Sequence, residues 1–255
     1  MKRVLITGAS GELGSAIALA VAQQGIDLVL HYHTNGKRIE EIENKSKRYG
    51  VQTWSVRANF QNISEIEQMF DDLNGWNLYP NILINNAAIS HYGLIQEVSV
   101  ENWEAVVNTN LGGAFFCAKK VIPEMIRLRY GRIVNISSVW GETGAANEVL
   151  YSISKGALNT FTKALAKELA PSRITVNAIA PGFFQSSMTK DFTDEELKMI
   201  KNQIPMNRFA DSKEIAQTVI HLLDDHSSYI TGQIITIDGG WTCHGAASLD
   251  NEAYI

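Results

Sequence analysis

Tyr151 and Lys155 stand four residues apart in the run Tyr151-Ser-Ile-Ser-Lys155, within a helical pattern of apolar residues. Four residues is about one helical turn, so the two side chains emerge on the same face. An ammonium beside a phenol favours the phenolate, and the spacing predicts a Tyr151 pKa drawn down from about 10 toward neutrality. A phenol tuned in this way can exchange a proton with an oxygen whose charge changes during reaction. Upstream, Ser138 follows the β-branched run Arg132–Ile136. Its hydroxyl is placed to hydrogen-bond that same oxygen as charge develops. Together the three residues point to acid–base chemistry on a carbonyl or an alcohol.

A second cluster offers a place for a dinucleotide. The apolar run Arg3–Ile6 enters Thr7-Gly-Ala-Ser-Gly-Glu-Leu-Gly14, and an apolar helical pattern follows. Glycines let the backbone turn sharply and approach a pyrophosphate, while a helix N-terminus presents free N–H groups and the positive end of its dipole. Gly8, Ser10, Gly11, Leu13 and Gly14 are the expected contacts, with Glu12 pointing to solvent. Hydride transfer between a nicotinamide and a carbonyl or alcohol unites the two clusters.

The elements that must position these groups alternate from end to end. Candidate strands are Arg3–Ile6, Asp27–Tyr32, Gln52–Val56, Ile82–Asn85, Arg132–Ile136, Ile174–Ala178 and Ile234–Ile237. Helical patterns occupy Leu13–Gln24, Ser64–Leu73, Val149–Leu169 and Lys213–Leu223. Repeated β–α alternation predicts an α/β fold, a Rossmann-type doubly wound parallel sheet in a three-layer sandwich. No linker or repeat divides the chain, so residues 1–241 are expected to form one dinucleotide-binding catalytic domain, with 242–255 as a C-terminal tail. Residues 183–210 interrupt the alternation after a late strand and contain the capped amphipathic piece Thr193–Asn202, which suits a substrate cover.

Composition narrows the function classes. The 255 residues are 45% hydrophobic and 19% charged, a globular balance that argues against disorder. A net charge of -5 argues against a nucleic-acid surface. No apolar run approaches the roughly 20 residues that span a bilayer, and the N-terminus becomes glycine-rich before a signal-peptide core could form. The expected location is the cytoplasm. Cys117 and Cys243 form no paired motif and read as reduced, inert thiols; the six histidines show no metal-ligand spacing, so no metal is expected.

On these motifs the chain resembles the short-chain dehydrogenase/reductase family from roughly Lys2 to Trp241. Thr7, Gly8 and Gly14 match its turn, and Glu12 replaces the middle glycine with Gly11 one place earlier. The resemblance implies that Tyr151 is the acid/base, that Lys155 also binds the nicotinamide ribose, and that Ser138 positions the carbonyl. It also implies a proton-relay role for Asn110 in Asn108-Thr-Asn-Leu-Gly112. Asn59 stands at the family's adenine position, and Asn86 and Ala87 belong to Asn85-Asn-Ala-Ala88, with Ala88 in place of a glycine. Pro181 and Gly182 lie beneath the nicotinamide, and Ser186 holds its carboxamide. After the second strand no carboxylate occurs before Glu40, whereas Thr34, Asn35, Lys37 and Arg38 can receive a 2′-phosphate, so the expected cofactor is NADP(H).

Within the family the chain looks most like the 3-oxoacyl-acyl-carrier-protein reductases, on Gly131–Ser138, Val176–Phe183 and Tyr229–Gly240. This implies an acyl-thioester substrate and docking of acyl carrier protein on basic residues beside the site. Arg129 matches one such arginine; Ser172 occupies the position of the second, with Arg173 adjacent. Expected substrate contacts are Ser138, Trp140, Tyr151 and Phe184, with His91, Tyr92, Glu142 and Asn147 on the cleft loops. Family members assemble through long helices near Asn102–Arg127 and Leu150–Leu169, which implies a homotetramer. Two other readings stay open: a reductase of a free sugar, steroid or aromatic ketone, and a non-catalytic NADP(H)-sensing protein.

Overall fold

A computed structural model of the chain describes residues 2–184 and 192–243. Seven strands form one sheet: β1 (Arg3–Ile6), β2 (Asp27–Tyr32), β3 (Thr53–Arg57), β4 (Ile82–Asn85), β5 (Gly131–Ile136), β6 (Ile174–Pro181) and β7 (Ile234–Ile237). Their order is β3-β2-β1-β4-β5-β6-β7, with every neighbouring pair parallel. The helices are α1 (Glu12–Gln23), α2 (Gly36–Ser46), α3 (Ile63–Gly75), α4 (Val100–Val107), α5 (Gly113–Leu128), α6 (Trp140–Thr143), α7 (Val149–Leu169), α8 (Asp194–Gln203) and α9 (Ser212–Leu223).

The alternation of side chains along each strand decides which helix packs where. Val4, Ile6, Leu28, Leu30, Ile82, Ile84, Val134 and Ile136 point to one face, where they meet Ile17 and Val21 of α1, Ile39 and Ile42 of α2, and Ile215 and Val219 of α9. Leu5, Val29, Leu83, Ile133 and Val176 point to the other, against Ile66 and Phe70 of α3, Val121 and Met125 of α5, and Leu165 and Leu169 of α7. Both faces are covered, as a parallel sheet requires, and the central strands are accordingly apolar throughout. Local chemistry fixes the helix starts. The Asn62 side chain accepts from Ser64 N–H before α3, and Ser99 with Asn102, Thr193 with Glu196 and Asp211 with Glu214 form reciprocal caps on α4, α8 and α9.

β1 is the point at which the strand order reverses, because the chain leaves it toward β2 and later returns to β4 on its other side. Connections parting in opposite directions leave a crevice at the carboxyl ends of these strands. Thr7 ties the two sides of that crevice together. Its Oγ1 accepts from Asn86 N–H (2.9 Å) and Ala87 N–H (3.0 Å), and its own N–H donates to Ile84 O (3.0 Å). Gly14 packs against the same turn so closely that a Cβ there would lie 2.3 Å from Gly8 O and 2.8 Å from Asn86 Nδ2.

Thr7→Val keeps the shape of this side chain but strands two N–H donors that are buried or nearly so. It should lower stability by about 3 kcal/mol, whereas Thr7→Ser should cost less than about 1 kcal/mol. Equal urea midpoints for the two variants would show that the hydroxyl is not the tie between β1 and β4.

Candidate active site

The crevice opens into a cavity of about 490 Å³ that runs across the carboxyl ends of the central strands. Gly8, Ser10, Gly11, Glu12, Leu13 and Gly14 line one end, His33, Thr34, Asn59 and Phe60 line its flank, and Asn86, Ala87 and Ala88 form the middle. Ser138, Trp140, Tyr151, Lys155, Pro181, Gly182 and Phe184 line the other end. The N-terminus of α1, with Gly11 as its cap, faces this space. A Cβ on Gly11 would touch only Gly8 O, at 3.4 Å, so the approach to the backbone there is open. An open backbone at a helix N-terminus, at the sheet's reversal point, fits a dinucleotide's pyrophosphate. Glu12 is exposed, yet it too borders the cavity.

His31, the fifth residue of β2, has a part that the sequence reading missed. The ring is buried and stacked on Phe60, with centroids 4.0 Å apart. Nδ1 accepts from Gly8 N–H (3.1 Å), which leaves Nε2–H to donate to Ala58 O (3.0 Å). Burial holds its pKa down at about 4, so the ring stays neutral and keeps both contacts at physiological pH. Thus His31 joins the glycine turn to the end of β3.

At the other end, β5 and α7 place the reacting groups. Tyr151 and Lys155 lie on the inward face of α7, and the Lys155 ammonium sits 5.6 Å from the centroid of the Tyr151 ring. Lys155 is 2% exposed and donates to Ile136 O (2.7 Å), the last carbonyl of β5. Ser138 lies two residues on, with its Oγ accepting from Trp140 N–H at 3.2 Å. Short helix α6 presses on α7 at Gly141, where a Cβ would lie 2.8 Å from the Lys155 backbone. That close approach sets Trp140 beside the tyrosine.

Electrostatics correct the expected direction for Tyr151. Burial, then the neighbouring Glu148 carboxylate, raise its pKa above the ordinary tyrosine value, and a hydrogen bond with Ser138 opposes them. Lys155 does not reverse this, because its ammonium points at the Ile136 carbonyl and burial lowers its own pKa to about 7. Desolvation disfavours both charged forms.

Asn110 lies in the π-helical stretch Asn108–Gly112 between α4 and α5 and is buried. Its side chain clasps Ile89, accepting from the N–H (2.8 Å) and donating to the carbonyl (2.9 Å), and Nδ2 also donates to Ser154 Oγ (3.0 Å). It therefore connects α7 to the loop after β4 at the cavity wall.

Several expected residues stand elsewhere. Lys37 and Arg38 lie on the first turn of α2 and do not line the cavity; Arg38 pairs with Glu41 at 3.0 Å. Asn35 caps that helix by accepting from Arg38 N–H. Instead Arg57, at the end of β3, donates to His33 O (3.0 Å) at the cavity flank. His91, Tyr92, Glu142 and Asn147 are also outside the lining: Asn147 bonds Tyr92 Oη at 3.3 Å and Glu142 meets Thr236 Oγ1 at 3.3 Å. Phe183, Phe192 and Trp241 supply apolar wall in their place, with Trp241 edge-on to Trp140 at 5.0 Å. Ser186 lies outside the described residues. Arg129 and Arg173 are exposed; Arg129 lies two residues before β5 and Arg173 one residue before β6, which places both at the amino edge of the sheet. Among the described residues, no group of three or more His, Cys, Asp or Glu side chains could hold a metal, and no helix is long and apolar enough to cross a membrane.

A lysine whose folded pKa is lowered costs stability at acid and neutral pH, where the buried site must hold the charge. The cost declines between about 7 and the ordinary 10.5, as the folded state sheds its proton first. Lys155→Met should therefore melt higher than the parent at pH 6, by about 4 °C or more, with the gap closing toward pH 10. A gap independent of pH in thermal melts would contradict the assigned cost.

Comparison with known proteins agrees with this geometry. Residues 8–242 match the family model described as enoyl-(acyl carrier protein) reductase. An uncharacterized oxidoreductase of Bacillus subtilis, YmfI, is 41% identical over 244 residues, covering 95% of this chain and 99% of that protein. The 3-oxoacyl-[acyl-carrier-protein] reductase FabG of Aquifex aeolicus is 40% identical over 239 residues, covering 92% of this chain and 95% of its own. FabG of Staphylococcus aureus is 37% identical over 239 residues, covering 94% and 97%. With a sheet reversal that fits a dinucleotide, a Ser–Tyr–Lys cluster at its edge and relatives matched over nearly their full length, the chain belongs to the short-chain dehydrogenase/reductase family of nicotinamide-dependent oxidoreductases.

Proposed function

We propose that this chain is an NADPH-dependent reductase that converts a 3-oxoacyl thioester, carried on acyl carrier protein, to the 3-hydroxyacyl form. The observation that carries the reading is the convergence of Ser138, Tyr151 and Lys155 on one end of a cavity whose other end is the glycine turn. The names of the Staphylococcus and Aquifex relatives support the substrate class. Bound NADPH supplies hydride to the carbonyl carbon. Ser138 Oγ donates a hydrogen bond to the carbonyl oxygen, and Tyr151 gives that oxygen its proton as the alkoxide forms. The raised pKa of Tyr151 suits reduction, because the phenol keeps its proton at neutral pH until a far stronger base appears beside it. Lys155, in its protonated form, would hold the ribose hydroxyls of the bound cofactor beside the phenol. Asn110 fixes Ile89 and so supports the relay that returns a proton to Tyr151.

The same reading gives Gly8, Ser10, Gly11, Leu13, Gly14, Asn59, Asn86, Ala87, Pro181 and Gly182 to the cofactor, and Trp140 and Phe184 to the acyl group. NADP(H) is favoured over NAD(H) because His33 and Thr34 bring no carboxylate to the flank, while Arg57 stands behind His33 as a cation for the 2′-phosphate. Of the expected substrate cover at 183–210, residues 185–191 lie outside the described residues; Phe183, Phe184 and Phe192 border the cavity of a single catalytic domain. The assembly is cytoplasmic and homotetrameric, a state favoured by the exposed apolar side chains Trp103, Phe115 and Ile153 on α4, α5 and α7.

The test is NADPH oxidation by the purified protein with an acetoacetyl thioester, free or on carrier protein, against a panel of ketones and sugars. Thioester turnover at the highest kcat/KM is the expected outcome; turnover of free ketones alone would move the assignment to a general carbonyl reductase. In the same assay Arg57→Ala should reduce the NADPH-to-NADH ratio of kcat/KM by about tenfold, the loss of one charge-assisted phosphate contact. An unchanged ratio would remove Arg57 from the cofactor site.

A further inference from the structure

Glu148 is a carboxylate in an unexpected place. It directly precedes α7 and stands three residues before Tyr151, hence on the same side of the helix, and it lines the cavity with Trp140, Ser138 and Trp241. No described residue donates a hydrogen bond to its carboxylate, and partial burial raises its pKa. Its charge reaches the reacting group, since it is one cause of the raised pKa of Tyr151. The carboxylate borders the open cavity and sits at the amino end of a long helix, whose dipole favours the charged form against the effect of burial. Trp140 and Trp241, edge-on to each other, line the same cavity, and such apolar walls strengthen the effect of a charge on any ligand charge nearby.

We infer that Glu148 is a specificity-determining residue that selects by charge. It bars substrates carrying an anionic group one methylene from the reacting carbon and favours neutral ones that offer a hydrogen-bond donor. The inference rests on the carbonyl-reductase reading of this cavity and makes it narrower. A substrate oxygen held by Tyr151 and Ser138 brings its flanking substituent within one helical turn of Glu148. A free carboxylate there meets an unpaired like charge across an apolar gap. A thioester or amide meets none, and an amide N–H satisfies a carboxylate to which no described residue donates. The cavity is thereby suited to 3-oxo or 3-hydroxy compounds whose acid group is masked.

Two near-isosteric probes separate charge from shape: 3-hydroxybutyrate and 3-hydroxybutyramide. Their dissociation constants for the NADP-loaded full-length protein, from equilibrium dialysis at pH 7.5, should favour the amide by about tenfold or more, or about 1.4 kcal/mol. Glu148→Gln should bring the two constants within about threefold, chiefly by tighter binding of the anion. Glu148→Asp, which keeps the charge, should retain the preference and guards against a merely structural effect. An identical ratio in the parent and Glu148→Gln overturns the inference, as does failure of the parent to bind the amide. Thioester turnover is measured in parallel. If the ratio collapses while no thioester is reduced, charge selection stands and the thioester-reductase reading falls.

Discussion

The active cavity exists because parallel strands cannot be joined by tight turns. Each connection must cross a face of the sheet, and where successive crossings leave in opposite directions nothing fills the strand ends between them. In this chain that happens at β1, between β2 and β4. Thr7 spans the gap to Asn86 and Ala87, and His31 spans it to the glycine turn and Ala58. These polar ties are short, nearly all to backbone, and hold open a space that apolar packing would otherwise close. The two apolar layers behind the sheet give the strands their positions; the polar ties give the opening its shape.

The second constraint is the charge of Lys155. A lysine this deep in the protein carries a substantial desolvation cost, and among the described residues the Ile136 carbonyl is its hydrogen-bond acceptor. The fold tolerates that cost where it serves chemistry, as sites of perturbed acidity commonly do. Tyr151 is kept neutral by burial and by Glu148, so the site is charged with a proton before substrate arrives. One helix thus aligns a carboxylate, a phenol and an ammonium along a single stripe, with α6 pressed close enough to leave no room for a side chain at Gly141.

The layout of the fold was legible because its signals are local. Short unbroken apolar runs at Val4–Ile6 and Ile82–Ile84, the capping pair Thr193 and Glu196, and the glycine turn each declare an element within a few residues. Observed strand ends differ from the expected ones by a few residues at most: β3 runs Thr53–Arg57 and β6 continues to Pro181. The spacing of Tyr151 and Lys155 likewise read correctly as one helix face. What the spacing could not reveal was orientation and burial. The lysine turns to a backbone carbonyl, so the phenol's acidity moves opposite to expectation. Arg38 has a closer partner in Glu41, and Arg57, from another strand, bonds the backbone carbonyl of His33, a residue of the flank. Trp241 and Phe192 enter the wall from segments far apart in the chain, and Arg129 and Arg173 fall at the amino edge of the sheet, facts set by topology and not by motif.

The central claim is that Tyr151 delivers the proton in a reaction for which the rest of the cavity binds and orients. The direct measurement is single-turnover oxidation of NADPH by Tyr151→Phe with an acetoacetyl thioester, alongside the dissociation constant for NADPH from fluorescence. Loss of about 10²–10⁴-fold in rate, the usual contribution of a positioned acid, with cofactor affinity within about threefold of the parent, is the result this account predicts. Turnover by Tyr151→Phe at the parental rate would contradict it, and the proton would have to come from another group in the cavity.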